Sequence, residues 1–223
     1  MLDHCIWNAL STRHFSFAEG DELAKRYPPA VTALAAVRDF SAESFASLGR
    51  LIAPGEMAIF FLNSLPVLPV GWEVLREVPL AQMVWNGRLN GEDGAGIEQL
   101  STADVDEMLA LTELTKPGPF SKRTPELGTY LGIRHGGHLV AMAGERLRVP
   151  GFTEVSAVCT HPEFQGRGFA RMLITAITRR IVARGETPFL HVAQENVRAI
   201  RVYENLGFTT RHLQAAFALR RKD

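Results

Sequence analysis

The sequence predicts a mixed α/β fold in which helices cover a mixed β-sheet, and three observations support this prediction. Apolar or alternating runs typical of strands recur between residues 57 and 219, and amphipathic helical patterns separate them. In the C-terminal part the predicted order is β-α-β-β-β-α-β-α-β, which implies both parallel and antiparallel neighbours. The chain has 223 residues, of which 46% are hydrophobic and 22% charged, so it is long enough to bury a core and a disordered protein is excluded.

The first 85 residues predict a helical stretch followed by extended segments. Residues 41–52 repeat apolar side chains at three- and four-residue spacing and end at a Pro-Gly pair, which predicts an amphipathic helix. The apolar run at 57–62 and the alternating run at 72–78 predict strands. This half of the chain contains no chemical motif that we can identify.

A glycine-rich segment separates the two halves. Residues 86–96 contain four glycines, which predicts a flexible linker and the best domain boundary. We therefore predict an N-terminal domain at residues 1–88 and a C-terminal domain at residues 96–223.

The C-terminal domain shows the more regular pattern. A short strand at 97–100 precedes Ser101-Thr102-Ala103-Asp104, which predicts a capping box and a helix. Three apolar strands follow, the first two joined by a Gly-Gly hairpin turn, and then two helices alternate with two strands. The predicted ranges are 129–134, 138–146 and 152–160 for the three strands, 168–183 and 196–206 for the helices, and 189–193 and 208–219 for the last strands.

Charge and cysteine content narrow the function classes. Lys+Arg and Asp+Glu both number 24, yet residues 161–223 hold 11 basic and 5 acidic residues, which favours an anionic ligand there; the remaining 13 and 19 favour a cationic acceptor. The N-terminus lacks the basic residues of a secretion signal, and the longest uncharged stretch has 16 residues and two prolines. Cys5 and Cys159 have no metal-ligand spacing. We expect a cytoplasmic protein with no membrane partner and no metal.

The segment from Thr160 to Arg171 carries the most specific chemical information. It is a glycine-rich loop that leads from a strand into a helix, where unpaired backbone N–H groups and small residues favour a phosphate. Glycine-rich loops also serve as plain tight turns. The third glycine of the dinucleotide fingerprint is absent after Gly166 and Gly168, which disfavours a Rossmann fold.

The C-terminal domain resembles the GNAT superfamily of acyl-CoA-dependent N-acyltransferases. The resemblance covers residues 97–220 and implies the GNAT fold, with an additional N-terminal α/β domain. It rests on two sequence blocks in the family's order, Gln165-x-x-Gly168-x-Ala170 and, about 26 residues later, Asn196-x-x-Ala199-x-x-x-Tyr203-x-x-x-Gly207-Phe208.

This resemblance implies acetyl-CoA as co-substrate, held in a cleft where the sheet splays between the strand before the loop and the strand after the helix. The main chain of Val158, Cys159 and Thr160 would pair with the pantetheine arm, and Asn196 would touch the pantetheine or adenylate side. The pyrophosphate would be held by N–H groups of Gln165, Gly166, Arg167, Gly168, Phe169, Ala170 and Arg171.

Two side chains are candidates for the catalytic chemistry. Tyr203 would lie near the thioester sulfur, where a phenol with a pKa near 10 donates to a departing thiolate; the alternative is an aromatic packed in the core. Glu154 lies four residues before Val158, so the two-residue period predicts that they share a face. Glu154 matches the position of the base in some members of the family; the alternative is a carboxylate that pairs with a basic group.

We therefore predict an N-acetyltransferase that moves an acetyl or short acyl group from acetyl-CoA to a primary amine by direct attack in a ternary complex. The alternative is a non-catalytic acyl-CoA-binding sensor or assembly module. Buried packing is favoured over a nucleophilic role for Cys159. We expect a small-molecule or peptide amine acceptor, no nucleic-acid partner, and a monomer or homodimer. The first domain is expected to be a degenerate copy of the same fold, a cap on the acceptor side, a holder for a partner, or a source of added strands.

Overall fold

The computed structural model describes residues 1–88, 94 and 96–222 of the chain. Its helices and strands alternate as a mixed α/β fold. The α-helices are α1 (Cys5–Leu10), α2 (Ala42–Leu51), α3 (Val105–Thr115), α4 (Phe169–Ala183) and α5 (Val197–Asn205). The strands are β1 (Glu19–Gly20), β2 (Ala24–Arg26), β3 (Ala35–Val37), β4 (Met57–Leu62), β5 (Trp72–Trp85), β6 (Ile97–Gln99), β7 (Tyr130–His135), β8 (His138–Val149), β9 (Phe152–Thr160), β10 (Thr187–Ala193) and β11 (Phe208–Arg221).

Eight of these strands form one mixed sheet in the order β4-β11-β5-β10-β9-β8-β7-β6. The β9–β10 pair is parallel, and the right-handed β9-α4-β10 connection places α4 over the sheet. The other neighbouring pairs are antiparallel. β1, β2 and β3 form a separate small sheet.

The helices cover opposite faces of the large sheet. On β10, Phe189 packs into a cluster with α1, whereas its neighbour Leu190 packs into a cluster with α4. Because successive side chains of a strand point to opposite faces, α1 and α4 lie on opposite sides. We call these the α1 face and the α4 face. Leu173 and Ile177 of α4 are fully buried, as their four-residue spacing predicts.

Most predicted elements are confirmed. Ser41 caps α2 by accepting a hydrogen bond from the Ser44 N–H at 3.2 Å, and Ser101 and Asp104 form the predicted capping box. The β7–β8 hairpin turns at Gly136 and Gly137, both with positive φ. The predicted linker falls mainly on residues outside the described part of the chain.

The first half of the chain contributes to the same sheet as the second. β5 lies between β10 and β11, pairing Leu190 with Met83 on one side and Phe208 with Trp85 on the other. β4 pairs with the outer edge of β11. Added strands, one of the four roles expected for the first half, are therefore observed; a domain boundary between residues 88 and 96 stays a prediction.

Candidate functional site

The parallel strands β9 and β10 diverge after a short contact. They pair only from Thr187 with Phe152 to Phe189 with Glu154. Beyond this point β10 continues along β5, and β9 continues along β8. In the described residues no further pairing joins β9 to β10, so the edge of β9 from Val155 onward borders a cleft.

The end of β9 carries a bulge that changes which face its side chains take. Ala157 has a φ of +51°, and the register with β8 shifts between Cys159 and Ser156. As a result Val155 and Val158, three residues apart, both pack into the cluster on the α4 face. The expectation that Glu154 and Val158 share a face is wrong, because the extra residue interrupts the two-residue alternation.

Cys159 is packed in the core. It is 6% exposed and belongs to a cluster with Met142 and Leu111, which confirms the preference for buried packing. Burial raises the pKa of the Cys159 thiol to about 11. A thiol of this kind is almost wholly protonated at neutral pH and is a poor nucleophile.

The loop before α4 forms an open cradle. Gly166 and Gly168 have φ values of +80° and +82°, and a Cβ atom at either position would meet no heavy atom within 4 Å. The first turn of α4 begins with the bond from the Met172 N–H to the Gly168 carbonyl, at 3.0 Å. The N–H groups that precede it in the helix start have no intrahelical acceptor. This exposed N-terminus can bind an anion.

The start of α5 lies against this loop. The Asn196 side-chain oxygen accepts a hydrogen bond from the Ala199 N–H at 3.1 Å and caps the helix. Two residues later, the Arg198 guanidinium donates to the Gln165 side-chain oxygen at 3.3 Å. We did not single out Arg198 from the sequence, although its place in the first turn after Asn196 was a usable signal. Arg198 adds a cation beside the cradle, where Arg167 already stacks on Phe164 with its guanidinium 4.7 Å from the ring centroid.

Tyr203 lies on the inner side of α5. It is 8% exposed, packs edge-on to Phe208 at 6.0 Å and joins the cluster on the α4 face. Burial raises the pKa of Tyr203 to about 12, so the phenol stays protonated at neutral pH. The ring therefore packs in the core, as the alternative interpretation expected, and the catalytic role of the hydroxyl stays a prediction.

Glu154 is a fully buried member of an ion pair. Its two oxygens accept hydrogen bonds from Nη2 and Nε of Arg146 at 2.7 and 2.8 Å, from the Leu147 N–H at 3.3 Å, and from Nδ1 of His191 at 2.6 Å. Burial alone raises the pKa of Glu154, but the charge and hydrogen bonds of Arg146 outweigh it, and with the His191 bond they lower the pKa to about 2. This geometry supports the pairing alternative and disfavours Glu154 as a direct base, a role that stays a prediction.

Among the described residues no group of three or more His, Cys, Asp or Glu side chains is placed to hold a metal ion. Within the same residues, no helix has the length and apolar character needed to cross a membrane.

Comparison with known proteins identifies relatives over the C-terminal half and over the whole chain. The family model described as "FR47-like protein" matches residues 130–217. The mycothiol acetyltransferase of Mycobacterium leprae is 41% identical over 80 residues, which is 33% of this chain and 26% of that protein. The N-alpha-acetyltransferase RimI of Mycobacterium tuberculosis is 40% identical over 82 residues, 35% of this chain and 51% of that protein. The chain thus spans about a quarter to a half of the length of these curated relatives.

A solved structure matches the full length. A putative acetyltransferase from the GNAT family of Novosphingobium aromaticivorans is 37% identical, covers 100% of this chain, is itself covered over 99%, and superposes with a TM-score of 0.93. The GCN5-related N-acetyltransferase of Kribbella flavida has a TM-score of 0.64 at 17% identity and covers 100% of this chain and 97% of its own. The second likeness concerns the fold alone.

Proposed function

Because this chain belongs to the GNAT family, we propose that it transfers an acetyl or short acyl group from acetyl-CoA to a primary amine by direct attack in a ternary complex. The observation that carries this proposal is the divergence of β9 and β10 beside the open cradle before α4. An extended ligand with a diphosphate at one end and a thioester at the other fits this combination of an unpaired strand edge and an anion site.

The chain's own residues fit acetyl-CoA in two places. The N–H groups at the start of α4, with Arg198 and Arg167 beside them, would hold the diphosphate. The main chain of Val158, Cys159 and Thr160 would pair with the pantetheine amides along the free edge of β9. The co-substrate supplies an activated acyl group, whose thioester carbonyl is open to attack by an amine.

Stabilisation of the charge that develops during attack must come from donors already in place. We propose the Val158 N–H for the thioester oxygen and the Tyr203 hydroxyl for the sulfur. The attacking amine must be neutral, yet an alkyl ammonium has a pKa near 10.4. Since the oxygens of Glu154 are already occupied by donors, we propose that a chain of water molecules removes the proton.

Direct attack predicts that alkylation of thiols has no effect on turnover. Burial raises the pKa of Cys5 to about 12 and that of Cys159 to about 11, so iodoacetamide is expected to label neither residue in the folded protein and to leave kcat unchanged. Intact mass and initial rate are measured on the same treated sample, with urea-unfolded protein as the positive control for labelling. Loss of activity that parallels modification of Cys159 would instead indicate a covalent acyl-enzyme.

The phosphate cradle predicts a specific effect at Gly168. Replacing Gly168 with alanine puts a Cβ on a backbone with a φ of +82°, at a strain of about 1–2 kcal/mol, and narrows the cradle. We expect the dissociation constant for acetyl-CoA, measured by calorimetry, to rise at least about tenfold, the equivalent of about 1.4 kcal/mol.

Gly137→Ala is the matched control for this substitution. Gly137 has a φ of +83° and equally open surroundings, but it lies in the β7–β8 turn. Both variants are expected to lose similar stability, and only Gly168→Ala is expected to lose acetyl-CoA affinity. Equal affinities in the two variants would remove the cradle from the binding site.

The second candidate function is an acyl-CoA-binding module without catalysis. Release of free thiol from acetyl-CoA, measured against a panel of amino acids, polyamines, aminoglycosides and peptide N-termini, separates the two. Turnover with any of these amines supports the enzyme. Tight binding of acetyl-CoA with no turnover across the panel supports the module. The acidic excess of residues 1–160 favours a cationic acceptor.

A further inference from the structure

A row of polar side chains crosses the α1 face at the point where the sheet splays. It joins five neighbouring strands, β11, β5, β10, β9 and β8, through one side chain each. Arg211 donates to the Gln82 oxygen at 2.8 Å, the Gln82 nitrogen lies 3.1 Å from Nε2 of His191, Nδ1 of His191 lies 2.6 Å from Glu154, and Glu154 pairs with Arg146. We call these five side chains the transverse row.

The hydrogen bonds of the row determine the orientation of each member. The Gln82 oxygen accepts from Arg211, and its nitrogen donates to the Leu2 carbonyl at 3.1 Å, so the amide presents a donor to His191. Nε2 of His191 is therefore the acceptor, and the ring proton is assigned to Nδ1, which donates to Glu154. A neutral imidazole satisfies both neighbours, and the ring is 2% exposed.

His191 also lies at a decisive place along the strand. The last main-chain pairing between β10 and β9 joins Phe189 to Glu154, two residues before His191. The bond from His191 to Glu154 is thus the link nearest the mouth of the cleft that the described residues show between these strands. Phe61 and Phe189 pack on the imidazole, with ring centroids 4.6 and 5.7 Å away.

We propose that His191 is a positioning residue that sets where β9 and β10 diverge, and that Gln82 from the first half of the chain orients it for this role. The proposal rests on the proposed function, because the splay point is where the thioester end of acetyl-CoA would lie. It also gives the first half a part in the site that neither sequence block provides. His191 itself touches no substrate in this scheme and acts through Glu154 and the edge of β9.

The test compares substitutions that keep or remove each hydrogen bond. His191→Phe keeps the aromatic volume between two phenylalanines and removes both bonds, whereas His191→Asn keeps a donor near the position of Nδ1. Gln82→Leu removes the partner on the other side. His212→Asn is the matched control, because His212 bonds Asn63 at 2.7 Å on neighbouring β11 and lies outside the row.

For each variant, kcat, the KM of the amine and the dissociation constant of acetyl-CoA are measured. His191→Phe and Gln82→Leu are expected to lower kcat at least about tenfold, with acetyl-CoA affinity within about threefold of the parent. His191→Asn is expected to recover most of kcat, and His212→Asn to match the parent. Parental kcat in His191→Phe, or an equal loss in His191→Asn, overturns the positioning role.

Amide hydrogen exchange separates failure of this inference from failure of the proposed function. If the parent protein turns over no amine, the function is lost, yet the splay point is still measurable. Faster exchange confined to residues 152–156 and 187–193 in His191→Phe supports the inference, and unchanged exchange there overturns it.

Discussion

Replacement of Tyr203 with phenylalanine is expected to lower kcat about 10- to 100-fold while acetyl-CoA affinity stays nearly intact. The substitution removes one hydroxyl, and the ring keeps its packing against Phe208 at 6.0 Å. A hydrogen bond to a charged group contributes about 1.5–3 kcal/mol, which corresponds to this range of rate when the charge develops only in the transition state.

The raised pKa of Tyr203 refines its chemical role. With a pKa of about 12, the phenol is a weaker acid than a thiol with a pKa near 8.5. Complete transfer of its proton to the departing thiolate is therefore unfavourable, and Tyr203 acts mainly as a hydrogen-bond donor. The rate is expected to stay independent of Tyr203 ionisation up to about pH 10.

Tyr27→Phe is the control for this prediction. Tyr27 is also buried, at 1% exposure, and its hydroxyl bonds Nδ1 of His14 at 2.8 Å in the first half of the chain. Its loss is expected to reduce stability and to leave kcat unchanged. An unchanged kcat in Tyr203→Phe would remove the hydroxyl from the chemistry.

Replacement of Glu154 with glutamine is expected to lower the free energy of unfolding by about 3–5 kcal/mol at pH 7, because it leaves the Arg146 guanidinium buried without its counter-charge. The folded-state pKa of Glu154, about 2, lies below its usual value of 4.5. The stabilisation is therefore present above about pH 4.5 and is lost as the pH falls towards 2.

Urea unfolding of the parent and of Glu154→Gln between pH 3 and pH 8 measures this difference. The gap between the two is expected to be constant above about pH 5 and to narrow below it. Glu43→Gln, at an exposed position of α2, is the control and is expected to change stability by less than about 0.5 kcal/mol. A gap that widens on acidification would contradict the lowered pKa.

A double substitution separates the structural from the catalytic role of Glu154. Arg146→Met with Glu154→Leu removes both charges together and is expected to recover most of the lost stability. If this folded variant still acetylates amines with a measurable kcat, Glu154 is not the base. If it folds and has lost all turnover, the original prediction of a base at Glu154 regains support.

Local patterns were enough to predict most of the elements and the cofactor side of the site. The start of α5 at Asn196 and the cradle at Gly166 and Gly168 depend on residue types within a few positions of one another. Such signals come from backbone conformation and helix capping, which neighbouring residues largely determine. The turn between β7 and β8 was predictable for the same reason.

The acceptor side depends on contacts that are distant in sequence. Gln82 and His191 are 109 residues apart, and no local pattern pairs them. The bulge at Ala157 reverses the side-chain alternation of β9, and its only local sign is a positive φ at an alanine, which residue type does not predict. The two-residue period therefore placed Glu154 on the wrong face relative to Val158.

The position of β5 has a consequence for the protein during its synthesis. Its two neighbours in the sheet, β10 and β11, begin roughly 100 residues or more further along the chain. At about 5–20 residues per second, a ribosome exposes the 14-residue β5 for several seconds before either partner emerges. An apolar strand with two unpaired edges invites association with other chains, so the nascent protein is expected to need a chaperone on this segment, and its yield to rise when translation is followed by rapid folding of the C-terminal half.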